Sequence, residues 1–150
     1  MKVSADDVKQ AIFGSSDGAT TTLGIIATSW FSGHSSAIPA AVVGASLAAT
    51  VGMGGSEYIS DPESNVHRAG VMALGTLVGG LWPALPFFLG HGSGVLALCA
   101  AAALVLGGVI VRVKMRSGSE LVPSMAEVYG VFIVASALAT AAGLLAPGSA

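Results

Sequence analysis

Two acidic residues lie inside stretches that are otherwise apolar, and their chemistry needs an explanation. Asp17 lies in AIFGSSDGATTTLGIIATSWF, and Glu57 lies in AIPAAVVGASLAATVGMGGSEYIS. A charged side chain near the centre of a bilayer costs roughly 2.5–3.5 kcal/mol on insertion scales, so such a carboxylate usually faces a pathway, a partner or water. The sequence therefore predicts that both acids are functional residues.

Helical spacing places further polar side chains beside each acid. Residues four, seven and eleven positions apart share one face of a helix. This face carries Thr21 together with Asp17 in the first stretch, and Thr50 and Met53 together with Glu57 in the second. Because the two stretches run antiparallel, we expect the carboxylates to lie at similar depth, toward the cytoplasm, where they can share a cavity.

Met53 precedes Glu57 by one helical turn, so a thioether and a carboxylate project from the same face. Carboxylate oxygens suit hard cations such as Mn²⁺ and Mg²⁺, whereas soft sulfur favours softer metals. A mixed set suits Fe²⁺, and Mn²⁺, Co²⁺ and Zn²⁺ stay open. A methionine at helical spacing is more often core filler, and only the neighbouring Glu57 favours a ligand role.

The composition indicates whether these residues lie in water or in a membrane. The 150 residues are 53% hydrophobic and only 9% charged, and their mean hydropathy is +0.81, which is typical of an integral membrane protein. A membrane-spanning helix needs about 20 mostly apolar residues. The sequence predicts an all-α membrane protein with one domain, residues 1–150, and five transmembrane helices near 11–31, 38–59, 69–90, 92–112 and 123–146.

The basic residues predict the orientation of these helices. All of them fall in the N-terminal tail, the second connection or the fourth connection: Lys2, Lys9, Arg68, Arg112, Lys114 and Arg116. The positive-inside rule then places the N-terminus in the cytoplasm and the C-terminus outside or in a lumen. No cleavable signal peptide is evident. Short connections favour the plasma membrane of a prokaryote over a vacuolar-type membrane.

Three segments resemble the vacuolar iron transporter family. FGSSDGATTTLGIIA is similar to the start of that family's first span, which has an Asp-Gly pair before a Ser/Thr-containing apolar helix. GMGGSEYIS is similar to the end of its second span, where Met precedes a Glu-Tyr pair by four residues. ALGTLVGGLWPALPFFL is similar to its third span, which closes on paired prolines, here Pro83 and Pro86. The resemblance is specific over roughly residues 10–90.

This resemblance implies a homodimer that exports Fe²⁺, and often Mn²⁺, from the cytoplasm in exchange for protons. The ion path of the family lies where the first and second spans of both subunits meet. Asp17, Met53 and Glu57 would then be pathway ligands, and two-fold symmetry would present each of them twice. The metal would be the transported substrate, with no permanently bound cofactor.

The chain departs from eukaryotic members of this family between the second and third spans. Those members carry a long, acidic, helical metal-capturing extension, where this chain has only SDPESNVHRAG. Asp61, Glu63 and His67 are the possible capture ligands there, although acids and a histidine in a solvated loop need no further role. Glu127 is a further acid near membrane depth, and an interfacial structural role is favoured for it.

Other classes of function remain as alternatives. One is a non-transporting membrane scaffold or regulator whose acids are hydrogen-bonded between subunits, and another is a small proton-coupled carrier of a different cation. His34 and His91 are expected in loops facing water, and a role in ion release is the alternative. The sequence has no nucleophile and base constellation and no phosphate-binding glycine loop, so we do not expect an enzyme. It also has no basic patch, so we do not expect nucleic-acid binding.

Overall fold

A computed structural model describes residues 4–60, 65–90 and 94–146, and this part of the chain is helical without strands. Lys2, Asp61, Glu63 and His91 lie outside the described residues. Two short 3₁₀ turns, Ser35–Ala37 and Trp82–Ala84, accompany six α-helices. These helices are α1 (Ala5–Phe31), α2 (Ile38–Ser60), α3 (Val66–Leu81), α4 (Leu85–Leu89), α5 (Val95–Arg116) and α6 (Leu121–Leu145).

Side-chain caps explain why α1 and α3 begin before the apolar stretches do. Ser4 and Asp7 form a capping box, in which each side chain accepts the backbone N–H of the other residue. Asn65 accepts the backbone N–H groups of His67 and Arg68 at the start of α3. The expected starts at residues 11 and 69 are therefore wrong by six and three residues.

The end of α5 and the start of α6 also differ from expectation, because hydropathy marks only the apolar part of a helix. The helix α5 continues to Arg116 instead of residue 112, and α6 begins at Leu121, two residues before the expected start. Pro123 is therefore the third residue of α6, inside the first turn, where its missing N–H removes no helical hydrogen bond. The second helix matches its expected bounds to within one residue.

The third span is interrupted at its two prolines. The helix α3 ends at Leu81, a 3₁₀ turn follows over Trp82–Ala84, and Pro86 lies in the first turn of α4. Proline lacks a backbone donor and its ring clashes with the preceding turn. The chain nevertheless continues in one general direction, and Val66–Leu89 is long and apolar enough to cross a membrane as one unit.

The helix α1 is the centre of the bundle. Each residue from Gly14 to Trp30 is buried or half-buried, because α2, α3, α5 and α6 all pack against α1. Its own apolar residues contribute to two buried clusters: Ile26 packs with residues of α2, α4 and α5, and Ala19 packs with residues of α5 and α6. The surrounding helices thus leave little of α1 exposed between Gly14 and Trp30.

The helices α1 and α3 run parallel and approach closely through glycine. A Cβ built on Gly18 would lie 2.6 Å from the amide nitrogen of Gly80, and one on Gly75 would lie 2.9 Å from the carbonyl oxygen of Ala11. Gly14 makes a similar approach to the backbone of α3. The Gly14 and Gly18 pair, four residues apart, therefore lets the two backbones pack closely.

Four helical segments among the described residues are long and apolar enough to span a bilayer: Ser35–Ser60, Val66–Leu89, Val95–Arg116 and Leu121–Leu145. With its 27 residues α1 is also long enough, but it is less apolar than these four. The chain is therefore an all-helical protein with the helices of an integral membrane protein.

Candidate functional site

One face of α1 and one face of α2 carry polar side chains, and we call these two sets the polar seam; the hydrogen bond between Gln10 and Glu57 joins them. All of its members are half-buried. The seam contains Gln10, Asp17 and Thr21 of α1, and Thr50, Met53 and Glu57 of α2. The seven-residue spacing from Gln10 to Asp17, and from Thr50 to Glu57, keeps each set on one helical face.

Two contacts fix the register of the antiparallel helices. At the end of the bundle where α1 begins and α2 ends, the amide nitrogen Nε2 of Gln10 donates to Oε1 of Glu57 over 2.5 Å. Further along, the Thr22 hydroxyl donates to the carbonyl oxygen of Gly80 over 2.6 Å, and Gly80 lies directly against Ser46. Thr22 lies twelve residues after Gln10 on α1, and Ser46 lies eleven residues before Glu57 on α2. Both contacts therefore give the same antiparallel alignment of α1 with α2.

This register places Asp17 level with Thr50 rather than with Glu57. Asp17 is seven residues beyond Gln10, which corresponds to about 10 Å of helix rise. Met53 lies between the two levels, one turn from Glu57. The expectation that the two carboxylates lie at similar depth and share one cavity is therefore wrong within one chain.

The depths of the two carboxylates differ because α1 begins six residues earlier than expected. Asp17 is the thirteenth residue of a helix that begins at Ala5, so it lies more than three turns after the start of that helix. Glu57 lies only three residues before the end of α2 at Ser60. Hydropathy alone could not reveal the additional turns, because they contain Asp6, Asp7 and Lys9.

Asp17 has no hydrogen-bond or ion-pair partner in the part of the chain that the structure describes, although it is half-buried. The next residue, Gly18, is packed against the backbone of α3, so Asp17 is held on a helix that cannot easily move. A partly buried carboxylate is costly unless it is hydrated, protonated or bound to a cation. Among the acids of the seam, Asp17 is therefore the one without a protein partner in the described residues, open to water, a proton or a cation.

The other seam residues have protein partners to different degrees. The Thr50 hydroxyl donates to the carbonyl oxygen of Ser46 over 2.6 Å, and oxygen lone pairs remain for a further contact. Glu57 has one oxygen engaged by Gln10. The Ser46 hydroxyl, one turn from Thr50, is buried without a partner among the described residues. Gln10 was missed by sequence reasoning, although its seven-residue spacing from Asp17 was a usable signal.

The end of the bundle where α1 and α3 begin contains a cluster of charged and titratable side chains from these two helices. Arg68 lies 2.8 Å from Asp6, and Nε2 of His67 lies 3.4 Å from Oδ1 of Asp7. The backbone hydrogen bond from Ser4 is the main cause of a pKa of Asp7 below its ordinary value, and the side-chain hydrogen bond and nearby His67 act in the same direction. His67 thus pairs with the cap of α1 and not with the polar seam.

Glu127, the remaining candidate acid, lies outside the polar seam. It is an exposed residue of α6, and its carboxylate accepts a hydrogen bond from Lys114 of α5. This ion pair fits the interfacial role that was favoured for Glu127. Across residues 4–60, 65–90 and 94–146, no group of three or more His, Cys, Asp or Glu side chains is arranged to hold a metal ion.

Comparison of the sequence with protein-family models, with curated proteins and with solved structures gives no match. The features of the chain that bear on its function are the polar seam and the short motifs of the first three apolar segments.

Proposed function

We propose that this chain is a membrane exporter of divalent metal cations, with Fe²⁺ as the first candidate substrate and Mn²⁺ as the second. The observation that carries the proposal is the half-buried Asp17 carboxylate, which has no partner among the described residues and lies on the central helix. Asp17, Met53 and Glu57 supply hard and soft donors along one row, as the resemblance to vacuolar iron transporters implies. Thr50, level with Asp17, and Thr21, one turn beyond Asp17 on α1, supply hydroxyl oxygens.

The proposed topology has five membrane-spanning helices, and α1 is the least apolar of them. A central helix surrounded by four apolar ones can carry polar residues without exposing them to lipid. The described basic residues support a cytoplasmic N-terminus, because Lys9, Arg68 and Lys114 all lie at the end of the bundle where α1 and α3 begin and α5 ends. The plasma membrane of a prokaryote is the proposed location.

The proposed path is completed by a second copy of the chain. A ridge of small residues on α2 is exposed, and a Cβ built on Gly44 or Gly52 has no atom of another described residue within 4 Å, apart from its own helix. The ridge contains Gly44, Ala48, Gly52 and Ser56. A four-residue spacing drifts by about 40° per step around a helix. The ridge therefore turns toward the face of Met53 and Glu57 near the end of α2, where a close-packed partner could add its own ligands.

The proposed coupling is competition between protons and metal for the same oxygens. A bare carboxylate in a low-dielectric cavity tends to take up a proton, and a bound cation reverses this preference. Metal entering from the cytoplasm would meet Glu57 first and Asp17 about 10 Å further along. Protons moving inward would release the cation from each carboxylate in turn, which gives antiport without a separate proton site.

Growth of a metal-sensitive host under excess iron or manganese tests this proposal. The wild-type chain should protect the host, and Asp17→Asn or Glu57→Gln should not, at equal amounts of protein in the membrane. Glu120→Gln is the matched control, because Glu120 is an exposed acid at the start of α6, away from the polar seam. Protection by Asp17→Asn equal to wild type would refute the proposal.

A non-transporting scaffold is the second candidate, and one observation favours it. One oxygen of Glu57 already accepts a hydrogen bond from Gln10, as expected of an acid that joins helices. The two functions differ in their response to metal. Fe²⁺ or Mn²⁺ should raise the melting temperature of a purified transporter, and Met53→Ala should reduce that rise, whereas a scaffold should melt at the same temperature with and without metal.

A further inference from the structure

A groove of about 440 Å³ lies between α1, α5 and α6 at the end of the bundle where α1 begins and α5 ends, away from the polar seam. It is an open groove on the surface of the bundle. Its walls are formed by side chains of these three helices and of the connection that follows α5. They include Lys9, Phe13, Ile110, Ser119, Val128 and Val131.

The groove is apolar along its length and polar at one end. Val128 is buried at the base, while Phe13 and Val131 are about half exposed, at 55% and 49%. Lys9 and Ser119 lie at the polar end, where α1 begins and α5 has ended. Such a surface matches an amphiphile with a charged head and an apolar tail.

The charge of the polar end is positive. Lys114 lines the groove and is balanced by its ion pair with Glu127. Lys9 is exposed and has no ion-pair partner among the described residues. The acids of the same helical turn, Asp6 and Asp7, are instead paired with residues of α3. The first turns of α1 therefore direct their negative charge toward α3 and the ammonium group of Lys9 toward the groove.

We propose that this groove binds an anionic phospholipid. The headgroup phosphate is held by Lys9 and by the hydroxyl group of Ser119, and an acyl chain lies along Phe13 and Val131. A free phosphate ion would meet the lysine but gain nothing from the apolar wall, so the full length of the groove favours the lipid. Anionic lipids are attracted to basic residues at a membrane surface, and a groove that continues as an apolar wall makes that attraction site-specific.

Thermal melting of the purified full-length chain tests the proposal. Micelles of a neutral detergent would be supplemented with phosphatidylglycerol, with phosphatidylcholine, or with inorganic phosphate. Phosphatidylglycerol should raise the melting temperature, while the other two additions should have little effect. Lys9→Gln should weaken the apparent affinity for phosphatidylglycerol about fivefold, since one surface lysine contributes that much. Arg116→Gln is the control, because Arg116 is an exposed cation at the same end that does not line the groove.

A second pair of variants tests the apolar half. Val131 and Val134 are both exposed on α6, but only Val131 lines the groove. Val131→Ser should lower the response to phosphatidylglycerol, and Val134→Ser should leave it unchanged. The proposal is overturned if phosphatidylcholine or inorganic phosphate reproduces the stabilisation, or if Lys9→Gln responds as the wild type does. Metal transport has no part in this test, so its outcome is independent of the proposed function.

Discussion

Gly79→Ala tests whether the contact between α1 and α3 holds the polar helix in place. A Cβ on Gly79 would lie 2.7 Å from Cα of Ser15, and ordinary contact begins at 3.4 Å. The two helices must therefore separate by at least 0.7 Å, the difference between these values. Such overpacking costs about 1–3 kcal/mol.

The same separation affects the neighbouring hydrogen bond from Thr22 to Gly80. Its 2.6 Å length would grow to about 3.3 Å, outside the range of a good O–H···O bond. Loss of that bond adds about 1 kcal/mol, so the total cost is about 2–4 kcal/mol. For a chain of this size that corresponds to a fall in melting temperature of roughly 4–16 °C.

The assay is thermal unfolding of the purified protein in detergent, followed by intrinsic fluorescence. Gly70→Ala, on the same helix, is the matched control, because a Cβ there meets nothing within 4 Å among the described residues. We expect Gly70→Ala to melt at the wild-type temperature or slightly above it, because alanine favours a helix over glycine. The reasoning about α1 and α3 would be refuted if Gly79→Ala melted at the wild-type temperature, or if both variants lost the same stability.

Three further outcomes follow from individual contacts. The hydrogen bond from the Ser4 backbone keeps the pKa of Asp7 below its ordinary value of 3.8, so its stabilisation is complete above that pH and is lost as the pH falls through the lowered pKa. Melting temperature measured against pH should therefore fall more steeply in acid for wild type than for Asp7→Asn. Ser46→Ala should be neutral or stabilising by up to about 1 kcal/mol, because the hydroxyl is buried without a partner in the described chain; a lower melting temperature would contradict this. A double-mutant cycle on Lys114 and Glu127 should give a coupling below about 1 kcal/mol that weakens with salt, since Glu127 is exposed.

The polar stripes and the positions of most helices could be predicted from the sequence, because both depend on local periodicity. Runs of about 20 apolar residues mark where a helix crosses the membrane, and the interruption near Pro83 follows from the missing backbone donor. Asp17 was singled out because a carboxylate in such a run is costly wherever the chain folds. These inferences need no knowledge of which helices are neighbours.

The register between helices could not be predicted in the same way. It depends on where α1 begins, and that is set by the Ser4 and Asp7 cap rather than by hydropathy. The pairing of Glu57 with Gln10 also depends on tertiary contact between residues 47 positions apart. The central position of α1 was likewise not predicted, although its low apolar content is the expected property of a helix that other helices cover.

The most direct test of the central claim measures Fe²⁺ flux in proteoliposomes with an imposed pH gradient. The wild-type chain should move Fe²⁺ against the flow of protons, and Glu120→Gln should behave in the same way. Asp17→Asn should reduce the flux about tenfold or more, because the neutral amide no longer offsets the cost of bringing a divalent cation out of water. Unaltered flux in Asp17→Asn, in protein that melts as the wild type does, would contradict a cation path along the polar seam.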